Sequence, residues 1–399
     1  MSVDVIDMPV EKQKVYTTQF WLLCLSSYLF FSSFNMIIPE LPKYLTSLGG
    51  EDYKGLIISL FTLTALLSRP FSGKLTDTIG RIPVMVVGAA VCFAIGFLYP
   101  ILNTVSGFLL VRFLHGFSTG FKPTGTAAYI ADIVPADRRG EAMGVLGVFG
   151  SMGMATGLFV GSPIANAYSW EVMFYASSCV SILSIAVLLG MKETLQERRK
   201  PSLRLLKVSR HEIIEPKVFK PSIVMVMTSF SFGIMLTIMP DFSEHLGIEN
   251  KGLFFASFIG ASILVRVLAG KVSDRFGRVI VMRVSAFCLA LSMIYVGMIE
   301  NLTMLLLGSV FFGLSYGMNS PTLFAWTADL GNPKFIGRAM STVFIALEIG
   351  IGTGALLSAF VYDNKVENFP WAFWSGAILS FLAFVTLMFM KRDSPPRQP

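Results

Sequence analysis

Residues 69–81 read RPFSGKLTDTIGR, and residues 266–278 read RVLAGKVSDRFGR. Each stretch is a short polar segment between two long apolar runs, and the two align without a gap at an offset of 197 residues. Because glycine, acid, glycine and arginine recur in register, the 399-residue chain consists of two related halves. The matched pairs are Arg69 and Arg266, Gly73 and Gly270, Lys74 and Lys271, Asp77 and Asp274, Gly80 and Gly277, and Arg81 and Arg278.

The composition is typical of a membrane protein, with 54% hydrophobic residues, 14% charged residues and a mean hydropathy of +0.67. About twenty apolar residues cross a bilayer as a helix. In lipid the backbone must satisfy its own hydrogen bonds, so only helices and closed barrels can span it. The apolar runs are continuous rather than alternating, which predicts an all-α membrane protein. The twelve predicted spans are 17–39, 54–74, 83–102, 104–132, 141–166, 170–191, 219–241, 252–272, 280–299, 302–330, 339–362 and 370–391.

The spans divide the chain into an N-terminal six-helix bundle (1–191), a basic linker (192–218) and a C-terminal six-helix bundle (219–399). Short loops rich in Lys and Arg face the cytoplasm, which predicts that both termini and the linker are cytoplasmic. We expect an amphipathic helix near 203–208 on the membrane surface. The net charge of +7 fits a basic inner face against anionic lipids and requires no nucleic-acid partner.

The duplicated stretch resembles the loop between the second and third helices of the major facilitator superfamily, G-x-L-x-D-x-x-G-R, apart from Val272 in the leucine position of the second copy. The fourth predicted span adds Arg112-x-x-x-Gly116-x-x-x-Gly120, which resembles a pattern linked in that family to proton coupling. The resemblance covers nearly the whole chain. It implies two pseudo-symmetric six-helix bundles around a central substrate site, with transport by alternating access between the two sides of the membrane.

Within the family, the chain looks most like the twelve-span drug:proton antiporters. Exporters of this kind often carry a Gly-Pro pair in the fifth span, whereas here Leu158 follows Gly157 and the nearest proline is Pro163. This departure counts against export by antiport and keeps an importer open. From the resemblance to the antiporters we nevertheless expect proton-coupled export of a hydrophobic or amphipathic small molecule from a bacterial-type inner membrane. A proton-coupled importer of a sugar or organic acid, and an uncoupled receptor or lipid scramblase, stay open as alternatives.

The two polar stretches are predicted to form a conformational latch on the cytoplasmic side. Glycine permits a sharp turn, and a carboxylate is stabilised at a helix N-terminus or beside an arginine. The competing interpretation of a single copy is a plain solvated turn, but two copies in register favour a latch. The predicted latch residues are Gly73, Asp77, Gly80, Arg81, Gly270, Asp274, Gly277 and Arg278.

Charged residues inside or at the ends of spans are candidates for proton coupling, because ionisable groups in a membrane are costly and usually functional. Glu348 lies among apolar residues of the eleventh span, where Lys122 or Arg112 are possible partners. Glu40 and Asp241 follow prolines at the outer ends of spans one and seven. The alternative for Glu348 is a structural ion pair, and that for Glu40 and Asp241 is simple solvation.

The resemblance places the substrate cavity between spans one, four, seven and ten. Its candidate polar and stacking residues are Asn35, His115, Lys122, Tyr316, Asn319 and Trp326. Three scattered histidines and four cysteines without a C-x-x-C pair predict neither a metal site nor a cofactor. No G-x-x-x-x-G-K-[ST] motif is present. The sequence therefore predicts a monomeric secondary transporter, not an enzyme, whose partners are a small solute, protons and lipids.

Overall fold

The computed structural model describes residues 15–53, 55–248, 252–363 and 365–390. These residues form helices joined by short turns, and no strand occurs among them. The N-terminal half contains α1 (Thr18–Ile37), α2 (Leu41–Ser47), α3 (Leu56–Thr78), α4 (Arg81–Ile101), α5 (Val105–Ile133), α6 (Arg139–Ala167) and α7 (Trp170–Leu189). After the one-turn helix α8 (Arg210–Ile213), the C-terminal half contains α9 (Phe219–His245), α10 (Leu253–Phe276), α11 (Arg278–Val296), α12 (Leu302–Gly317), α13 (Asn319–Leu330), α14 (Ile336–Tyr362) and α15 (Phe369–Phe389).

Eleven of the described helical segments are long and apolar enough to cross a membrane. The fourth predicted span, α5, is a helix of 29 residues but is not among the eleven. It carries Arg112 and Lys122 together with many small and polar residues, and most of its surface is buried between α3 and α4. A helix that faces protein rather than lipid needs less apolar surface. The twelve-helix, all-α prediction is confirmed.

The two polar stretches are mostly helical, which corrects the expectation of a loop. Helix α3 continues through Asp77 to Thr78, and α10 continues through Asp274 to Phe276. The turn that follows is made by Gly80 and Gly277, whose φ angles of +126° and +97° favour glycine. Because residues four apart share a helix face, this extension lines up residues 69, 73 and 77, and their repeat mates, on one side of each helix.

The halves contact each other along two seams, α3 against α14 and α6 against α10. Glycines allow the close approach: a Cβ on Gly270 would lie 2.2 Å from the carbonyl oxygen of Gly140, and one on Gly337 would lie 2.7 Å from that of Gly73. These contacts lie at the end of the bundle where α1 begins, α3 ends and residues 192–218 run, here called the linker face. The halves are therefore packed tightly together at the linker face.

The linker does not form the amphipathic helix expected near 203–208. It has a 3₁₀ turn at Leu203–Leu206 and the single turn α8. Lys74 on α3 donates hydrogen bonds to the carbonyl oxygen of Lys207 and to Glu212, both at 2.8 Å. Partial burial raises the pKa of Glu212, but the hydrogen bonds from Lys74 and the backbone of Ser209 outweigh it, so this pKa lies below its ordinary value. The linker thus docks on the bundle through specific polar contacts.

Candidate functional site

The first latch joins α3 to the N-terminus of α14 at the linker face. The two carboxylate oxygens of Asp77 accept hydrogen bonds from the backbone N–H groups of Gly337, at 2.7 Å, and Arg338, at 2.8 Å. Arg81 bonds Asp77 at 3.1 Å and Asp132 at 3.0 Å, within the N-terminal half. A negative charge on the unpaired N–H groups of a helix N-terminus is favourable. Asp77 therefore holds the two halves together.

The second latch repeats this arrangement on the other seam. The carboxylate of Asp274 accepts hydrogen bonds from the backbone N–H groups of Gly140 and Glu141, each at 2.8 Å, at the N-terminus of α6. Arg278 forms ion pairs with Asp274 and, at 3.0 Å, with Asp329. The structure thus brings together the predicted acid and arginine of each copy. The partner of each acid is a helix N-terminus in the opposite half, which sequence reasoning had not specified.

The predicted latch glycines have separate roles. A Cβ on Gly73 would lie 2.7 Å from the Cβ of Ser341 on α14, so the side chain of this residue must be small. Gly80 has Glu193 against it, and the Glu193 carboxylate accepts hydrogen bonds from the backbone N–H groups of Arg81 and Ile82 at 3.0 and 2.9 Å. Close packing and turn formation therefore account for both glycines and, through the repeat, for Gly270 and Gly277.

Glu348 forms an ion pair with Arg69, which joins α14 to α3 further from the linker face. Their side chains are 12% and 3% exposed, and the Arg69 Nη2 to Glu348 Oε1 distance is 3.0 Å. Arg69 also bonds the Gly120 carbonyl oxygen at 3.3 Å and lies over the Phe344 ring, 4.2 Å from its centroid. The expectation that Lys122 or Arg112 would be the partner is wrong. Arg69, four residues before Gly73, shares the face of α3 that meets α14, and this spacing was the signal that could have identified it.

Arg112 and His115 lie in the interior of the N-terminal half. Arg112 donates a hydrogen bond from Nε to the Ile57 carbonyl oxygen at 2.7 Å, and its guanidinium is 4.3 Å from the centroid of the Phe61 ring. The ring nitrogens of His115 lie 3.4 Å from Cys92 Sγ and 3.3 Å from the Tyr99 hydroxyl. Both residues are therefore held within one bundle, although Nη1 of Arg112 is buried without a hydrogen-bond partner among the described residues. His115 does not reach the space between the halves.

A cavity of about 310 Å³ lies between the two halves, with walls from α1, α5, α6, α9, α10, α12, α13 and α14. Of the six predicted cavity residues, Lys122 and Tyr316 line it. Its walls are largely apolar and include seven aromatic rings. The rings that line it belong to Phe30, Phe31, Phe232, Phe258, Tyr316, Phe324 and Phe344.

Lys122 brings a buried ammonium group to this cavity. The residue is 1% exposed, and its Nζ has no hydrogen-bond partner among the described residues. Its nearest aromatic neighbour is Phe30, with 5.3 Å from Nζ to the ring centroid. An unpaired buried ammonium is energetically costly, so this position is one where a bound group of opposite charge would be stabilised.

Arg266, from the second half, also lines the cavity and was not among the predicted site residues. Its Nε donates to Ser262 Oγ at 3.2 Å. No carboxylate lies within ion-pairing distance of its guanidinium in the described part of the chain. The cavity is therefore lined by one cationic side chain from each half. Arg266 is the repeat equivalent of Arg69, so the internal repeat was the signal that could have identified it.

The remaining predicted cavity residues lie outside the lining. Asn35 donates to the Phe31 carbonyl oxygen on its own helix at 2.7 Å. Asn319 accepts a hydrogen bond from Ser285 Oγ at 2.7 Å, and Trp326 packs in the apolar core of the C-terminal half. A break at Met318 separates α12 from α13. Because 302–330 was predicted as one continuous span, this break was not anticipated for Asn319 and Trp326.

The two outer carboxylates differ in environment. Glu40 is 2% exposed and accepts hydrogen bonds from Ser162 Oγ at 2.6 Å and Trp170 Nε1 at 3.2 Å. Asp241 is exposed on α9. Neither lies in the cavity lining, and neither contacts Glu348. The described residues contain no group of three or more His, Cys, Asp or Glu arranged to hold a metal ion.

Comparison with known proteins decides the family. The family model described as Major Facilitator Superfamily matches residues 20–261 and 221–399. The chain belongs to the major facilitator superfamily. It is 27% identical over 381 residues to the multi-drug resistance efflux pump PmrA of Streptococcus pneumoniae, covering 90% of this chain and 94% of that one.

Solved structures share the superfamily fold. The human organic anion transporter MFSD10 matches with a TM-score of 0.81 at 19% identity, covering 92% of this chain and 98% of that one. The proton:xylose symporter XylE matches with a TM-score of 0.79 at 16% identity, covering 94% and 95%. Such likeness shows the fold alone. Membership of the superfamily, shown by the family model, makes the chain a multi-pass integral membrane transporter of small molecules, and not an enzyme.

Proposed function

We propose that this superfamily member exports a hydrophobic or amphipathic small molecule in exchange for protons, by alternating access. The observation that carries the proposal is the aromatic cavity between the halves, beside a buried ion pair that joins them. A mostly apolar cavity with a few polar groups is typical of a small-molecule site. The likeness to an efflux pump over nine-tenths of the chain supports the direction.

The topology follows from charge. We infer that the linker face is cytoplasmic, because the basic linker and the basic turns Arg138–Arg139 and Lys334 lie there. Both termini would then be cytoplasmic, in a bacterial-type inner membrane. The halves 1–191 and 219–399 act as the two moving bodies of a monomer, and 192–218 connects them.

The two latches are the elements that alternating access must break. Asp77 and Asp274 each bond a helix N-terminus of the opposite half. While these bonds persist, the cavity cannot open to the linker face. The described conformation therefore corresponds to the state closed to the cytoplasm, and release of both latches gives the inward-open state.

Glu348 is the carboxylate that we assign to proton coupling. Its side chain is 12% exposed, it lies next to the cavity-lining residue Leu347, and within the described residues its one ion pair crosses between the halves. When Glu348 takes up a proton, the carboxylate becomes neutral and the attraction to Arg69 is lost, while Arg69 keeps its hydrogen bonds to Gly120 and Thr124. Protonation would thus loosen one seam, which links the proton to the conformational change. In the described part of the chain, no ion pair between the halves involves Arg112, Lys122, Glu40 or Asp241.

Flux in proteoliposomes under an imposed pH gradient tests the function. An antiporter accumulates solute in vesicles with an acidic lumen, whereas a symporter accumulates it in vesicles with an alkaline lumen. Permanently charged probes, 2-naphthalenesulfonate and 2-naphthyltrimethylammonium, avoid passive redistribution of weak acids and bases, and labelled xylose probes the import alternative. Accumulation with an acidic lumen supports export. Accumulation of xylose with an alkaline lumen supports the importer, the alternative suggested by the fold match to a proton:xylose symporter. Equal uptake with either gradient favours an uncoupled protein.

A further inference from the structure

We propose that the transported solute is an amphipathic aromatic anion whose negative group is bound between Arg266 and Lys122. This inference deepens the proposed function, and it rests on that function for the claim that the solute is transported. Binding of the solute can be measured without a gradient. It starts from a departure of the chain from its own internal symmetry.

The two arginines of the repeat have different partners. Arg69 on α3 forms its ion pair with Glu348 on α14. Under the 197-residue offset, Arg69 corresponds to Arg266, and Glu348 corresponds to Ser151 on α6. Helix α6 packs against α10 as α14 packs against α3. The second seam therefore keeps the arginine but has a serine where its carboxylate partner would stand.

Arg266 faces the cavity as a result. Its Nη1 would lie 2.8 Å from a Cβ built on Gly147, so the guanidinium lies directly over the small residues of α6. Gly147, Ser151 and Arg266 all line the cavity, and within the described residues the Arg266 side chain donates one hydrogen bond, to Ser262. In the first seam the protein itself supplies the negative charge. In the second, the space for that charge opens onto the cavity.

Lys122 supplies an independent second observation. It comes from the other half, lines the same cavity, and its Nζ is buried without a partner in the described residues. Two cationic groups therefore face the cavity from opposite halves, and no carboxylate belongs to its lining. A carboxylate or sulfonate group would satisfy both, because charge-assisted hydrogen bonds to Lys and Arg are strong.

The rest of the cavity fits the apolar body of such a solute. Rings from both halves line it, including Phe30, Phe31, Phe232 and Phe258. A cationic solute would meet two like charges and no carboxylate, and a neutral one would leave both cations desolvated and unpaired. Glu348, which follows the lining residue Leu347, is already neutralised by Arg69. The charge of the solute is therefore selected by repulsion as well as by attraction.

Binding to the purified full-length protein in detergent tests this directly. The probes share one aromatic body: 2-naphthalenesulfonate, 2-naphthalenemethanol and 2-naphthyltrimethylammonium. Isothermal titration calorimetry is expected to show that the sulfonate binds at least tenfold more tightly than the alcohol, and that the cation binds most weakly. Sulfonate affinity equal to or below that of either other probe, or no sulfonate binding at millimolar concentration, overturns the proposal.

Variants locate the site. Arg266→Gln and Lys122→Gln should each weaken sulfonate binding at least tenfold and change alcohol binding less than twofold, whereas Lys220→Gln, at an exposed lysine on the linker face, should change neither. Ser151→Glu restores the missing carboxylate and should abolish the preference for the anion, while Ser151→Gln of nearly the same size should retain it. Size-exclusion profiles identify folded variants. Unchanged sulfonate affinity in folded Arg266→Gln or Ser151→Glu refutes the assignment.

The inference and the proposed function fail in different ways. Selective sulfonate binding without gradient-driven flux leaves the anion site standing and removes proton-coupled export. Gradient-driven flux of the trimethylammonium probe with no sulfonate binding retains coupled export and removes the anion site.

Discussion

Replacing Asp77 with asparagine tests whether the latches control which side of the transporter is open. Asparagine keeps one acceptor oxygen, so one of the two bonds to the N-terminus of α14 persists. The other bond is lost because the side-chain NH₂ group of asparagine faces a backbone N–H group, and the negative charge is lost as well. The ion pair between Asp77 and Arg81 does not change the free-energy difference between the closed and open states, because both residues belong to the same half. Only contacts that differ between the two states shift the equilibrium.

The expected magnitude follows from these contacts. A hydrogen bond to a charged group contributes about 1.5–3 kcal/mol, and a negative charge at a helix N-terminus contributes about 0.3–1 kcal/mol. Together these give roughly 2–4 kcal/mol in favour of separation at the linker face. Because about 1.4 kcal/mol is a factor of ten, the ratio of closed to open molecules should fall roughly 30- to 700-fold.

Distance measurement across the linker face provides the assay. Ala136 and Lys334 are exposed turn residues of opposite halves at this face. With spin labels at these two positions in a background lacking the four native cysteines, double electron–electron resonance should show one short distance in the parent. In Asp77→Asn, a second and longer distance should appear.

Asp132→Asn is the matched control. Asp132 also bonds Arg81 at the linker face, but its recorded partners, Arg81 and Thr194, lie outside the C-terminal half. Its replacement should leave the distance distribution unchanged. If Asp77→Asn and Asp132→Asn give the same distribution, or if Asp77→Asn shifts the ratio less than threefold, the latch reasoning is wrong.

Three further predictions concern the seams and the linker. Glu348→Gln should abolish pH-gradient-driven flux while expression and thermal stability stay near parent levels, because the amide keeps the shape but cannot exchange a proton. Gly270→Val should shift the spin-label distances toward separation, because a Cβ there would lie 2.2 Å from the Gly140 carbonyl oxygen. The carboxylate of Glu212, whose pKa is lowered partly by Lys74, stabilises linker docking above the ordinary glutamate range. Docking should therefore be intact at pH 7 and weaken as pH falls through this lowered pKa, and Glu212→Gln should speed tryptic cleavage of the linker at pH 7.

Each of these has a contradicting result. Unchanged gradient-driven flux in Glu348→Gln would exclude that carboxylate from coupling. For the glycine, Gly260→Val is the control, because a Cβ there meets nothing within 4 Å. Equal effects of the two valines would show that α10 responds to bulk in general. For the linker, Glu197→Gln, at an exposed acidic residue of the same segment, controls for loss of one negative charge without removing a tryptic site. Cleavage of Glu212→Gln at the parent rate would show that the Lys74 contact does not hold the segment.

The architecture could be predicted because hydrophobic runs of membrane length and a gapless internal repeat are both visible in the sequence. Asp77 and Asp274 were recognised from that repeat alone. Their partners could not be, because backbone N–H groups of α14 and α6 carry no residue signature and come from the opposite half. The extent of α3 was also misjudged, since the polar residues at its end suggested a loop.

The site was predicted less well because it depends on helix rotation. His115 and Lys122 of α5 were both expected to line the cavity, yet Lys122 does so and His115 packs against Cys92 and Tyr99 inside one bundle. The pairing of Glu348 with Arg69 depends on how close α14 comes to α3, which the small residues of that seam determine. Comparing the two halves position by position would have revealed that Ser151 replaces a glutamate.

The linker makes the two seams between the related halves mechanically different. It bonds Lys74 on α3 and, through Glu215, Arg338 at the start of α14, so it bridges the α3–α14 seam, and its described residues make no hydrogen bond to the α6–α10 seam. Because the halves are joined along one seam, we expect them to rotate about it, so that the other seam separates first. Access from the linker face would therefore begin beside Gly140 and Gly270, and a solute leaving or entering would pass first along the side that carries Arg266.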